Sequence, residues 1–130
     1  MSNNKQSSVD MEFVPYKQAL ALKELGFNEP CLASYFHAGK RLDITEYINH
    51  GEYTVLAPTF SQAFRWFRDK HGLVSWISFR IDLPKKYLWY ITDVKDIAIR
   101  GGDYIFDILI ESYEEAELDC LKKLIEISKN

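Results

Sequence analysis

One segment in the middle of the chain carries a complete set of helix signals, from start to stop. Thr59 and Gln62 have the spacing of a capping box, in which the Thr59 hydroxyl accepts from the Gln62 backbone N–H and the Gln62 side chain returns to the Thr59 N–H. Apolar residues then recur with the period of a helix that buries one side: Phe60, Ala63, Phe64 and Phe67. Gly72 follows, and glycine commonly ends a helix. The spacing predicts a helix from Thr59 to His71.

Two further helices and several strands are predicted on either side of this helix. One helix is expected from Tyr16 to Leu25, opened by Pro15 and ended by Gly26. The last helix follows Ser112, which forms a second capping box with Glu115 three residues later. The segments between the helices are typical of strands, because β-branched and aromatic residues lie between turn residues: 31–36, 41–44, 52–56, 76–83, 87–94 and 103–110.

This order of elements predicts an α+β fold. We expect one antiparallel sheet with three helices packed mainly on one face, in the order α-β-β-(β)-α-β-β-β-α. Residues 1–11 are polar and without periodicity, which predicts a flexible tail. Residues 12–130 are expected to form a single domain, since a chain of 130 residues is close to the commonest domain size.

Composition restricts the classes of function that the chain can have. The net charge is −3 with both signs interspersed, whereas general nucleic-acid binders usually carry a basic face, so nucleic acid is not an expected partner. No apolar run reaches the roughly 18 residues that span a bilayer, and the polar N-terminus lacks the apolar segment of a signal peptide. We therefore expect a cytoplasmic protein that does not contact a membrane.

The sequence contains no recognisable catalytic, phosphate-binding or metal-binding motif. Its three histidines are scattered and its two cysteines lack the spacing of metal ligands, so we assign no catalytic residue, metal or cofactor. A nucleophilic site could still combine Cys31 with Asp43 and with His37 or His50. The interpretation that we favour places Cys31 in the core and His37 in a turn.

Aromatic residues make up 15% of the chain, which is a high share. An exposed cluster of aromatic and arginine side chains would resemble a protein-interaction hot spot or a platform for stacking nucleic-acid bases. The alternative is that these rings fill the space between the helices and the sheet. The candidate binding surface consists of Arg65, Trp66, Arg68, Trp76 and Trp89.

Three segments together resemble a known family. They are FVPYKQALALKELGF at 13–27, LAPTFSQAFRWFRDKHG at 56–72 and YEEAELDCLKKLI at 113–125. In these segments the chain is similar to a family of small proteins from Bacteroidetes and their phages and prophages. The resemblance implies an accessory protein in a phage or mobile-element context, and it transfers no activity, cofactor or catalytic residue to this chain.

The sequence thus favours a small non-enzymatic interaction protein whose partner is a host or phage protein. One alternative is a ligand-binding domain or small enzyme that uses Cys31, His37 and Asp43. A further alternative is a nucleic-acid-binding accessory protein that uses Arg65, Trp66 and Arg68. The identity of the partner and the oligomeric state are left open by the sequence.

Overall fold

A computed structural model describes residues 9–36, 38–47, 54–81, 86–94 and 110–129. Within these ranges the helices are α1 (Tyr16–Glu24), α2 (Phe60–His71) and α3 (Tyr113–Ser128), preceded by a 3-10 turn at Asp10–Glu12. The strands are β1 (Cys31–Phe36), β2 (Arg41–Tyr47), β3 (Val55–Ala57), β4 (Leu73–Arg80) and β5 (Lys86–Asp93). The predicted α+β class is confirmed, and these elements follow the predicted order.

The described strands pair in two antiparallel sheets, whereas the sequence predicted a single sheet. Three strands form a sheet in the order β2-β1-β3, and β4 pairs with β5 in a second sheet. The chain forms two compact units, Met1–Ala63 and Phe64–Asn130, and the boundary between them falls within α2. The assignment of residues 12–130 to a single domain stays a prediction. The predicted strand at 103–110 lies outside the described residues apart from Ile110, as do His37 and His50.

In the first unit, α1 ends in the predicted glycine cap. The Phe27 N–H donates to the Leu22 carbonyl over 2.9 Å, and the Gly26 N–H donates to the Lys23 carbonyl over 3.0 Å. This pair of bonds is the Schellman motif, and Gly26 has the positive φ that it requires, +103°. α1 contacts β3, and Ala19 is among the residues that it buries.

The turn between β1 and β2 is held against the start of α1. Gly39 has a φ of +88°, and its N–H donates to the Phe36 carbonyl over 3.2 Å. The ring of Tyr16 lies directly over Gly39 and meets the ring of Tyr35 edge-on, with 5.5 Å between the ring centroids. The Tyr35 hydroxyl in turn donates to the Val14 carbonyl over 2.8 Å. β1 and β2, which this turn joins, pair antiparallel as a hairpin.

A short segment ahead of α1 pairs with the residues that follow β3. Phe13 forms an antiparallel bridge with Thr59, and the Val14 N–H donates to the Pro58 carbonyl over 2.9 Å. Phe13 and Val14 are both buried. Thr59 also starts α2, where its hydroxyl accepts from the Gln62 N–H over 3.1 Å, so this arm of the predicted capping box is confirmed.

In the second unit, β4 and β5 pair without interruption over eight residues, from Leu73 opposite Asp93 to Arg80 opposite Lys86. α3 contacts both strands. Its start is capped as predicted, since the Ser112 hydroxyl accepts from the Glu115 N–H over 3.1 Å. The buried residues of α3 are Ala116, Cys120, Leu121, Leu124 and Ile125.

We predict that Gly39→Ala lowers the free energy of unfolding more than Gly26→Ala does. Alanine strains the backbone at both positions, which have positive φ, and this costs about 1 kcal/mol at each. A Cβ at position 39 would also overlap the ring of Tyr16, whereas nothing lies within 4 Å of a Cβ at position 26. Overpacking of this kind costs about 1–3 kcal/mol more, which urea denaturation would measure. Equal losses in the two variants would contradict the close contact with Tyr16.

Candidate functional site

The structure separates the five residues of the predicted binding surface into exposed and buried groups. Arg65 and Arg68 are exposed on α2, and Trp76 is 47% exposed on β4. Trp66 and Trp89 are buried, with only 5% and 8% of their surface exposed. Trp66 and Trp89 are thus buried as the alternative interpretation expected, and the binding role of Arg65, Arg68 and Trp76 stays a prediction.

Trp66 contacts two aromatic neighbours on its own helix. Its ring meets Phe67 edge-on with 5.1 Å between the centroids and meets His71 edge-on at 4.9 Å. Trp66 lies beside the predicted apolar stripe, and an indole is large enough to fold back over an adjacent turn. The stacking role that we considered for Trp66 requires an exposed ring face, which this packing does not provide.

Trp89 is buried against α3, with its polar edge satisfied. Its Nε1–H donates to Asp119 Oδ2 over 2.7 Å. A buried indole N–H needs such an acceptor, and the carboxylate makes the bond charge-assisted. The strand pattern could not identify this partner, because Asp119 lies thirty residues further along the chain.

Trp76 is the tryptophan of the predicted set that stays accessible. It stacks on Tyr90, its cross-strand neighbour, with 5.1 Å between the centroids and 14° between the ring planes. Aromatic pairs of this kind stabilise antiparallel sheets by about 0.2–1 kcal/mol. Trp76 is therefore exposed and also stabilises the pairing of β4 with β5.

The described part of the alternative nucleophilic site is not arranged for catalysis. The Cys31 thiol is buried and donates to the Glu29 carbonyl over 3.3 Å. Burial, and secondarily the Glu29 carboxylate, raises the pKa of Cys31 to about 12, although a hydrogen bond with Gln62 opposes this shift. The thiol therefore stays protonated at neutral pH, while a nucleophilic cysteine needs its thiolate.

Asp43 does not approach this thiol. It pairs with Ser34, three residues along β1 from Cys31, which corresponds to about 10 Å. Its carboxylate forms an ion pair with Arg41 at 3.0 Å. Among the described residues, no group of His, Cys, Asp and Glu side chains is placed to hold a metal ion.

A different set of aromatic residues forms an exposed cluster in the second unit. Phe79 and Tyr87 are cross-strand neighbours with 4.9 Å between their ring centroids, and Tyr87 meets Tyr113 edge-on at 5.9 Å. Phe79 is 43% exposed and Tyr113 is 44% exposed. We call Phe79, Tyr87 and Tyr113 the aromatic surface. Nearby in sequence, Ile81 is 81% exposed.

The aromatic surface was missed because two of its residues fit core patterns. Phe79 and Ile81 fit an alternation of apolar and polar residues along β4, and Tyr113 fits the apolar spacing of α3, both of which are typical of buried positions. All three residues are nevertheless exposed. Tyr113 is the first residue of its helix, and residues at the end of an element have neighbours on one side only. Position at a terminus is the signal that could have identified them.

Two connections fix the start of α3 beside the start of β5. Tyr87 and Ile110 exchange backbone hydrogen bonds of 2.8 and 2.9 Å, which form an antiparallel bridge. The next residue, Glu111, forms an ion pair with Lys86. Tyr113 follows directly after the capping residue Ser112, so these contacts determine where its ring meets Tyr87.

The aromatic surface lies in acidic surroundings. The segment 111–117 contains four glutamates: Glu111, Glu114, Glu115 and Glu117. Burial raises the pKa of the Tyr113 hydroxyl, and the carboxylates of Glu117 and Glu114 raise it further. The two carboxylates are thus close enough to Tyr113 to act on its hydroxyl, in addition to the larger effect of burial.

No protein-family model, curated protein or solved structure matches the chain. The resemblance to small proteins of Bacteroidetes and their phages stays a prediction. In the part of the chain that the structure describes, no helix combines the length and the apolar character needed to cross a membrane.

We predict that Asp119→Ala lowers the free energy of unfolding by about 1–3 kcal/mol, because the buried Nε1–H of Trp89 loses this acceptor. Lys122→Ala, at an exposed position of the same helix, serves as the control and should change stability by less than about 0.5 kcal/mol. Denaturant titration measures both. In a Trp89→Phe background the cost of Asp119→Ala should shrink, and an unchanged cost would contradict the role of this bond.

We predict that stability falls as the pH rises from 9 towards 12. Burial is the main cause that raises the pKa of Cys31 and of Cys120 from an ordinary 9.0 to about 12. Between these values the folded state retains protons that the unfolded state has lost, so a rise in pH favours unfolding. Burial also raises the pKa of Tyr35, from 10.0 to about 12, which adds to the effect.

The midpoint of urea unfolding, followed across this pH range, measures the effect. Cys31→Ala and Cys120→Ala should each make the decline with pH shallower than in the unchanged protein. Identical slopes in the variants and the unchanged protein would show that the buried thiols do not cause the decline.

Proposed function

We propose that this protein is a non-enzymatic accessory protein that binds another protein through the aromatic surface. Exposure of Phe79 and Tyr113 in one connected cluster with Tyr87 is the observation that supports the proposal. Aromatic side chains, tyrosine above all, are enriched where proteins bind one another, because they bury a large area with few rotatable bonds. Connected exposed apolar groups on a small protein commonly mark such sites.

The surface is carried by hydrogen-bonded secondary structure, which supports the same proposal. Phe79 and Tyr87 are fixed by the register of β4 and β5, and Tyr113 is fixed by the cap and the bridge at the start of α3. A surface held in place before binding loses less conformational entropy when its partner arrives. We further propose a cytoplasmic location and, from the phage or mobile-element context that the resemblance of the three segments implies, a host or phage protein as the partner.

The described residues favour this function over the two alternatives. The thiol of Cys31 is protonated, which disfavours the catalytic alternative. The cavity between α1 and β3, with a volume of about 20 Å³, can hold a water molecule but not a larger ligand. Nucleic-acid binding through Arg65, Trp66 and Arg68 lacks its stacking residue, because Trp66 is buried.

Site-specific photo-crosslinking in the cells that express the protein tests the proposal. The photoreactive residue p-benzoylphenylalanine is placed at Phe79, at Tyr113 or, as a control on the same helix, at the exposed Lys122. We expect one discrete crosslinked species from positions 79 and 113 and none from position 122. Equal crosslinking at all three positions, or none from correctly folded protein, would exclude the aromatic surface as the binding site.

A further inference from the structure

We propose that the aromatic surface recognises a basic, arginine-rich segment of the partner protein. This inference rests on the proposed function and specifies the chemistry of the partner. It depends on two properties that coincide at the start of α3, namely accessible aromatic rings and an excess of negative charge.

The first property is the accessibility of electron-rich rings. The face of an aromatic ring attracts cations, and a guanidinium group placed over it gains about 0.5–1 kcal/mol at exposed sites. Tyr113 and Phe79 both present nearly half of their surface to solvent. The chain already contains one such contact elsewhere, with the Arg41 guanidinium carbon 5.3 Å from the centroid of the Phe36 ring.

The second property is the local balance of charge. The segment 111–117 supplies four carboxylates, and Lys86 pairs with the carboxylate of Glu111. Arg80, which follows Phe79 on β4, and the N-terminus of the helix, equivalent to roughly half a positive charge, offset part of this negative charge but leave the carboxylates in excess. Glu114 and Glu115 are exposed on the first turn, next to Tyr113. The surroundings of the aromatic surface are therefore negative and complement a cationic partner.

These two properties act at different stages of binding. Exposed carboxylates accelerate the encounter with a basic segment and disfavour acidic partners. The rings then contribute at short range, where the guanidinium group and its aliphatic stem can lie flat on them. An acidic or neutral peptide could contact the rings but would not be attracted by the carboxylates. Rings and carboxylates together therefore select for arginine.

Fluorescence anisotropy with synthetic peptides tests the inference on the full chain. The probe is a fluorescein-labelled peptide of alternating arginine and glycine, and the comparison peptides carry glutamine or glutamate in place of arginine. We expect the arginine peptide to bind most tightly at low salt and the glutamate peptide not to bind. Added salt should weaken the binding, because it screens the exposed carboxylates.

Matched variants assign the binding to the surface. Tyr113→Leu should weaken it about two- to fivefold, whereas Tyr113→Phe keeps the ring and should retain it. The double variant Glu114→Gln, Glu115→Gln should weaken it by a similar factor and reduce its salt dependence. Glu24→Gln, at an exposed position of α1, is the charge control and should have no effect. Circular dichroism checks that each variant is folded.

The outcomes separate this inference from the proposed function. Arginine and glutamine peptides that bind equally, or binding that survives both Tyr113→Leu and the double variant, would overturn the choice of a basic partner. If crosslinking from positions 79 and 113 succeeds while the arginine peptide fails, the surface binds a partner of different chemistry. If crosslinking fails as well, the proposed function itself is wrong.

Discussion

Each small sheet of this protein depends on a helix to bury one of its faces. Two antiparallel strands alone are marginally stable in water, so β4 and β5 require the apolar side of α3. The residues that α3 contributes are aliphatic or small, and they include Leu121, Leu124 and Cys120, all fully buried. In the first unit α1 contacts β3 in a comparable way through a shorter helix. The side chains that these helices do not cover are the ones that remain exposed and available for binding.

The same packing explains why one group of aromatic residues is buried and another is exposed. Trp89 lies opposite the second turn of α3, where Asp119 accepts from its N–H. Tyr87 lies two residues earlier on β5, at the level where α3 begins with Tyr113. A helix covers what lies beneath its turns, and no turn of α3 precedes Tyr113. The exposed rings are therefore a consequence of where the helix starts.

Local signals in the sequence predicted the elements well, because caps and glycine stops act within a few residues. Thr59, Ser112 and Gly26 each perform the role that their spacing indicated. Exposure was predicted poorly, since it depends on contacts between distant segments. Nothing near Trp89 in sequence indicates that Asp119 will accept its N–H. In the same way, alternation along β4 could not show that Phe79 extends past the cover of a helix that starts more than thirty residues later.

In the first unit, one contact joins segments that are more than forty residues apart in sequence. Phe13 and Val14 pair with the segment that contains Pro58 and Thr59, so these bonds cannot form until the later segment is present. During synthesis at about 5–20 residues per second, α1 and the β1–β2 hairpin can form first, because their contacts are local. Until then Phe13 and Val14, both buried in the folded unit, lack the partners of these bonds. The residues that start α2 therefore also complete the packing of the segment ahead of α1.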